Sequence, residues 1–162
     1  MRQVFRESTR QTATTMLLIA SAYILNYAIT NERLADSLVA AISAMQLSPM
    51  QFMAVVNLFF LILGCFLDGS VMMLVFVPLL MPSVRALGID VTYFGIVVTL
   101  NIMIGLITPP YGLLLFVLAR VAGLSFERTT MAILPWLIPL LVSLVVLTYV
   151  PSLVLWLPRQ FF

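Results

Sequence analysis

The sequence contains neither histidine nor lysine, and only one cysteine among its 162 residues. Without histidine, the histidine-based triads and zinc sites have no base and no nitrogen ligand. One cysteine excludes an intrachain disulfide framework. Cys65, between Gly64 and Phe66 in an apolar run, reads as a small packing residue rather than a reactive thiol. No Walker-type phosphate loop is present, which removes ATP hydrolysis through that motif. Charge is also scarce: 9% of residues are charged, against roughly 25% in a soluble domain. The eight arginines and six acids give a net charge of +2, scattered between apolar runs, which argues against a nucleic-acid surface. What remains is 63% hydrophobic. Its apolar stretches repeat at about the 20 residues that one bilayer crossing takes. The class is an all-α integral membrane protein.

Four segments follow from the pattern. Residues 1–50 hold one apolar span, 14–30, and an amphipathic stretch in which Leu34, Leu38, Ala41, Ile42 and Met45 recur at three and four. That stretch is expected along the membrane surface, with Asn31 as N-cap and Asp36 near its first turns. No cleavable signal peptide stands out before it. Residues 51–84 form a 34-residue apolar run. As one helix it would measure about 50 Å, well beyond a hydrocarbon core of about 30 Å. Folded at "LGCFLDGS" it gives two arms of roughly 14 residues, about 20 Å each, neither of which would cross. A re-entrant hairpin with its tip at Gly64 to Ser70 is the preferred form, and one long tilted span is the other. Residues 85–124 hold a helical piece from Val91 to Ile104, a break, and a second piece from Leu113 to Val121. Residues 125–162 begin with "LSFERTTM", a short interfacial element with Ser125 as a weak cap. One crossing from Ile133 to Leu157 follows, bent or shortened by Pro135, Pro139 and Pro151.

With the hairpin re-entrant and the broken helix crossing, Arg2, Arg6, Arg10, Arg120 and Arg128 share one side and Arg33, Arg85 and Arg159 the other. Five against three makes the first side cytoplasmic. A topology in which 91–119 is re-entrant and 51–84 crosses also fits, and moves Arg85 inside.

The chemistry gathers at the breaks. In "GLITPPYG", Pro109 and Pro110 lack donors and clash with a preceding helical turn, while Gly105 and Gly112 permit close approach or unusual dihedrals. The carbonyls freed around Gly105 to Thr108, with the Thr108 hydroxyl, can converge on a small cation. The piece before the break points its negative end there, and the piece after it offers a positive end to an anion. Broken helices in secondary transporters serve this purpose; a plain proline kink is the other reading. Asp68, between Gly64 and Gly69, is an ionisable residue in apolar surroundings. It caps the hairpin tip, sets the field around a cation, or lies at the interface if the span is ordinary. Asn57 and Asn101 are candidates for inter-helix hydrogen bonds. Arg120 is placed to snorkel to the membrane edge. An enzyme built on Asp68 lacks a histidine or a second nearby carboxylate.

"LGCFLDGSVMMLVFVPLLMPSVRALGID", "YFGIVVTLNIMIGLITPPYGLLLFV" and "LPWLIPLLVSLVVLTYVPSLVLWLP" resemble the large membrane subunit, DctM-like, of tripartite ATP-independent periplasmic (TRAP) transporters, from about Thr12 to Leu157. The resemblance implies a multi-pass permease of a bacterial or archaeal inner membrane that imports organic anions such as C4-dicarboxylates or sugar acids. Sodium is the coupling ion, with no other cofactor. The implied partners are a small membrane subunit and an extracytoplasmic solute-binding protein. It further implies an elevator-type carrier of two inverted repeats, each with a re-entrant hairpin and a discontinuous helix. This chain matches the second, C-terminal repeat, so the N-terminal half is expected as a missing partner. Carried over by motif, Gly64, Gly105, Thr108 and the carbonyl of Tyr111 would bind sodium, with Pro109, Pro110 and Gly112 making the break. A structural or accessory membrane subunit whose kinks only shape packing is the alternative.

Overall fold

The computed structural model describes residues 2–161. Met1 and Phe162, the outer residues of the first and last segments expected above, lie outside the described residues, as does the side chain of Arg159. Among the described residues the chain is an all-α bundle, and three stretches are long and apolar enough to cross a membrane: Val4–Asn31, Gly69–Ala86 and Phe126–Tyr149.

Helix α1 runs Arg2–Asn31, and α2 runs Leu34–Ala44 with Asp36 in its first turn. The N-cap expected at Asn31 is not there. The Glu32 amide still donates to Ala28 O, which keeps Asn31 inside α1, and the turn is made by Arg33 at φ 51°. Helix α3, Pro49–Gly64, starts two residues before the expected arm. Ser48 and Gln51 form a reciprocal capping box and Pro49 takes the first helical position, where its missing N–H costs nothing.

After the turn at 65–68 the chain continues as α4 (Gly69–Val71), a π-helical segment (Met72–Phe76) and α5 (Val77–Ala86). This discontinuous rod is 18 residues long. The second arm is therefore longer than the expected 14 or so, because the helix starts at the Asp68 cap and Pro82 does not stop it. Helix α6, Val91–Ile107, begins at Asp90, whose Oδ1 accepts from the amides of Thr92 and Tyr93 at 2.8 and 3.0 Å. It extends three residues past the expected Ile104, and α7, Leu113–Ala122, follows the break. Helix α8, Phe126–Tyr149, absorbs the expected interfacial element: Ser125 Oγ accepts from Arg128 N and "FERTTM" is simply its first turns. Pro135 and Pro139 are carried inside α8, whereas Pro151 opens a separate helix α9, Pro151–Phe161. The single final run is thus two helices.

Helices α3 and α6 are parallel. Their first turns, Pro49 and Met53 beside Asp90 and Tyr93, line one cavity, and their last turns meet at Gly64 and Gly105. Residues 49–90 consequently leave one end of the bundle and return to it. Between these points Phe52, Val56 and Phe60 pack with Phe94, Val97 and Val98, all buried. In lipid such packing holds helices through van der Waals contact rather than exclusion of water. Helix α8 runs the other way: Phe126 stacks on Phe116 of α7 at 4.5 Å, and Thr148 reaches α3 and the start of α6.

Helix α1 lies parallel to the 69–86 rod, with Ala22 and Ile29 against Val75. One bond ties them. Pro78 has no N–H for the carbonyl four residues back, Leu74 O, and such an orphan is costly in an apolar bundle. Asn26 Nδ2 donates to Leu74 O at 2.8 Å and removes that cost.

Candidate functional site

The hairpin turn and the broken helix meet backbone to backbone. A Cβ on Gly105 would lie 2.7 Å from Gly64 Cα and 2.9 Å from its carbonyl carbon, closer than any real side chain sits. Glycine is required at 105, and a Cβ on Gly64 would be crowded at 3.0 Å from Gly105 Cα. The start of the second arm presses on the same helix: a Cβ on Gly69 would lie 2.8 Å from Ile102 Cγ2. Across the junction the Phe66 and Tyr111 rings pack at 5.5 Å. The turn therefore straddles the last turns of α6, and the parallel helices α3 and α6 bring two C-terminal, electronegative ends to one place.

The break itself is a carbonyl-rich turn. Thr108 leaves helical geometry at φ −90°, ψ 129°, and its amide turns back to Gly105 O at 3.0 Å. Its hydroxyl donates to Ile104 O at 2.6 Å, leaving oxygen lone pairs free to accept. Pro109 and Pro110 have no N–H for Gly105 O and Leu106 O, so those carbonyls lose their usual donors. Gly112 closes the turn at φ 42°, ψ 78°, where a Cβ would strike Leu115 at 2.7 Å. Gly64 and Gly105 are buried, Thr108 and Pro109 half-buried, and Pro110 and Tyr111 exposed. Asp68 is exposed, and its Oδ1 accepts from Ser70 N at 2.8 Å, which makes it the N-cap of the second arm.

The sequence motif thus names residues that the fold assembles, but it missed their supports. Asn101 Nδ2 donates to Asn57 O at 2.9 Å and to Asn57 Oδ1 at 3.0 Å. Asn57 Nδ2 donates to Thr148 Oγ1 at 2.7 Å, and the Tyr93 hydroxyl donates to Thr148 O. Both asparagines were visible as polar residues in apolar runs. Thr148 and Tyr93 carried no such signal, since threonine and tyrosine are common in membrane helices. Asn26 was passed over because its partner, an orphaned carbonyl, is legible only once Pro78 is counted back four residues.

The model of the "Tripartite ATP-independent periplasmic transporter, DctM component" family matches residues 1–153. The chain belongs to the DctM family. Among relatives of this DctM-family chain, the C4-dicarboxylate TRAP transporter large permease protein DctM of Pseudomonas aeruginosa is 40% identical over 157 residues, 97% of this chain and 37% of that protein. The sialic acid TRAP transporter large permease protein SiaM of Vibrio cholerae is 32% identical over 159 residues, 98% of this chain and 37% of its own. The sialic acid TRAP transporter permease protein SiaT of Haemophilus influenzae is 34% identical over 153 residues, 94% of this chain and 25% of its own. The chain therefore spans about a quarter to two-fifths of the relatives it matches. Its three long apolar helices and its bacterial relatives place it as a multi-pass protein of the bacterial inner membrane. The family is one of transporters, not enzymes.

Proposed function

We propose that this DctM-family chain is the second of two inverted repeats in a sodium-coupled importer of organic anions, and that the junction of the 64–70 turn with the 105–112 break is its cation cradle. The observation that carries the reading is the Gly64–Gly105 backbone contact, which brings two helix C-termini onto one carbonyl-rich turn. Sodium is a hard cation that favours oxygen, and the oxygens gathered here are main-chain carbonyls and one hydroxyl. No group of three or more histidine, cysteine or carboxylate side chains is assembled among the described residues, so a soft or borderline metal has no cage here. Gly64, Gly105, Thr108 and the Tyr111 carbonyl would hold the ion, and Asp68 stays a cap rather than a ligand. The N-terminal end of α7, which follows the break directly, favours the substrate's carboxylate.

On this reading residues 49–86 form a re-entrant hairpin, and α6, the break and α7 together cross once. Arg33 and Arg85 then lie at one end of the bundle and Arg120 and Arg128 at the other. The anion sits between this repeat and the rest of the permease, carried on the same polypeptide or another, and the pair moves as an elevator. A small membrane subunit braces the assembly and an extracytoplasmic solute-binding protein delivers the cargo. C4-dicarboxylates or sugar acids are the expected class, since relatives are named for C4-dicarboxylate and sialic acid.

The test is uptake into proteoliposomes holding the complete permease, its small subunit and its binding protein, under sodium or potassium gradients. Thr108→Ala should raise the sodium concentration for half-maximal uptake by about tenfold, roughly 1.4 kcal/mol, while Thr108→Ser stays near the parent. An unchanged sodium dependence in Thr108→Ala overturns the ligand role and leaves an accessory subunit whose break only shapes packing.

A further inference from the structure

Helices α3 and α6, which meet at the junction, and their neighbour α8 are joined pairwise by polar bonds. Asn57 on α3 meets Asn101 on α6, Asn57 meets Thr148 on α8, and Thr148 meets Tyr93 back on α6. The circuit closes. Asn101, Thr148 and Tyr93 are buried and Asn57 half-buried, with apolar packing on every side. Each bond also does local work. Thr148 O is among the last four carbonyls of α8, which have no helical donor, and the Tyr93 hydroxyl caps it. The Thr148 hydroxyl passes its own proton to Leu144 O at 2.7 Å, so its lone pairs face Asn57. Asn101 gives Nδ2 to two oxygens of one residue, which fixes position along the helix axis as well as distance.

An apolar interface between parallel helices sets register weakly, because leucine, valine and phenylalanine repack after a small slide. A polar bond in an apolar bundle does not tolerate one, since sliding leaves donors and acceptors unpaired. Asn101 lies four residues before Gly105, about 6 Å along α6, and Asn57 seven before Gly64, about 10.5 Å along α3. A slip of one residue at the asparagines brings Leu63 or Cys65, Ile104 or Leu106 to the point where only glycine fits.

We propose that Asn57, Asn101, Thr148 and Tyr93 form a register lock that holds Gly64 against Gly105 and thereby positions the cation cradle; the second half of this statement rests on the function proposed above. They are positioning residues. None is required to touch the ion.

The test uses the full chain in lipid nanodiscs and reads amide hydrogen exchange segment by segment. Thr148→Val keeps the side-chain shape but removes the acceptor of Asn57, and Thr148→Ser keeps the acceptor. Thr148 is on α8, away from the break, and Tyr93→Phe opens the same circuit from another side without altering volume. The expected result is exchange about tenfold faster across 60–66 and 103–108 in Thr148→Val and Tyr93→Phe, about 1.4 kcal/mol of local protection. The segment 20–30, outside the circuit, should be unchanged, and Thr148→Ser should behave as the parent. Uniform acceleration through all helices, or none at the break, overturns the lock. A second arm adds sodium against potassium. Sodium should slow exchange at 103–112 in the parent, with the half-saturating concentration raised about tenfold in Thr148→Val and restored in Thr148→Ser. Local loosening by Thr148→Val together with no sodium effect in the parent would keep the lock and remove the sodium cradle. A sodium effect whose half-saturation ignores Thr148→Val would remove the lock's link to the cradle.

Discussion

The proline steps at Pro78 and at Pro109 and Pro110 each remove donors from upstream carbonyls, and the chain treats the two in opposite ways. At Pro78 the helix passes through a π-helical segment and continues, and the orphaned Leu74 carbonyl is taken by Asn26 of a neighbouring helix. At Pro109 and Pro110 the helix stops and the chain turns through Thr108 to Gly112; the Thr108 amide bends back to the Gly105 carbonyl, and among the described residues no side-chain amide arrives at the Leu106 carbonyl. A neighbouring amide makes the first break a packing joint. At the second, the Leu106 oxygen freed by Pro110 and the Gly105 oxygen held by the Thr108 amide lie beside a second helix end; on the proposed function a cation is their partner. Proline alone does not distinguish a joint from a site; what differs here is that the helix continues past Pro78 and stops at Pro109 beside the end of α3.

The largest effect should come from filling the glycine contact. Gly105→Ala places a methyl group against Gly64 backbone that cannot rotate away, so α3 and α6 must separate. A loss of about 2–3 kcal/mol in a reversible unfolding assay in detergent is expected, in the range of overpacked cores. Gly95→Ala on the same helix meets nothing within 4 Å and should instead gain about 0.5–1 kcal/mol. Equal losses at both positions would mean that the contact is not special.

The joint at Pro78 is tested by coupling. Asn26→Ala leaves Leu74 O without a donor and should cost about 1–2 kcal/mol. In a Pro78→Ala background the chain supplies its own amide to Leu74 O, so the same substitution should cost less than half as much. Additive costs would show that Asn26 acts by packing alone.

The smallest effect concerns Asp68. As a cap, its replacement by alanine should lower stability by about 1 kcal/mol, and Asp68→Asn should keep most of it. A loss of sodium-dependent uptake in Asp68→Asn would instead make the charge itself part of the cradle.

Much of this was legible in the sequence, for physical reasons. The length of the apolar runs located the 64–70 turn, and the "TPP" step located the 105–112 break because donors absent from proline are absent in any fold; the joint at Pro78 was not foreseen. The meeting of Gly64 with Gly105 was foreseen only through family resemblance, since nothing local links residues 41 positions apart. Helix ends were read less well. Asn31 looked like a cap by residue type, yet Arg33 in left-handed geometry made the turn. "LSFERTTM" looked polar enough to stand apart, yet Ser125 started a helix that ran unbroken through two prolines. The polar circuit was half visible, since its asparagines stand out in apolar helices while Thr148 and Tyr93 do not.

The most direct test is equilibrium binding of radioactive sodium to the purified permease carrying this chain. Saturable binding is expected that unlabelled sodium displaces and potassium does not, abolished by Gly105→Ala and retained by Gly95→Ala. Sodium binding that survives Gly105→Ala with unchanged affinity would contradict the proposed cradle.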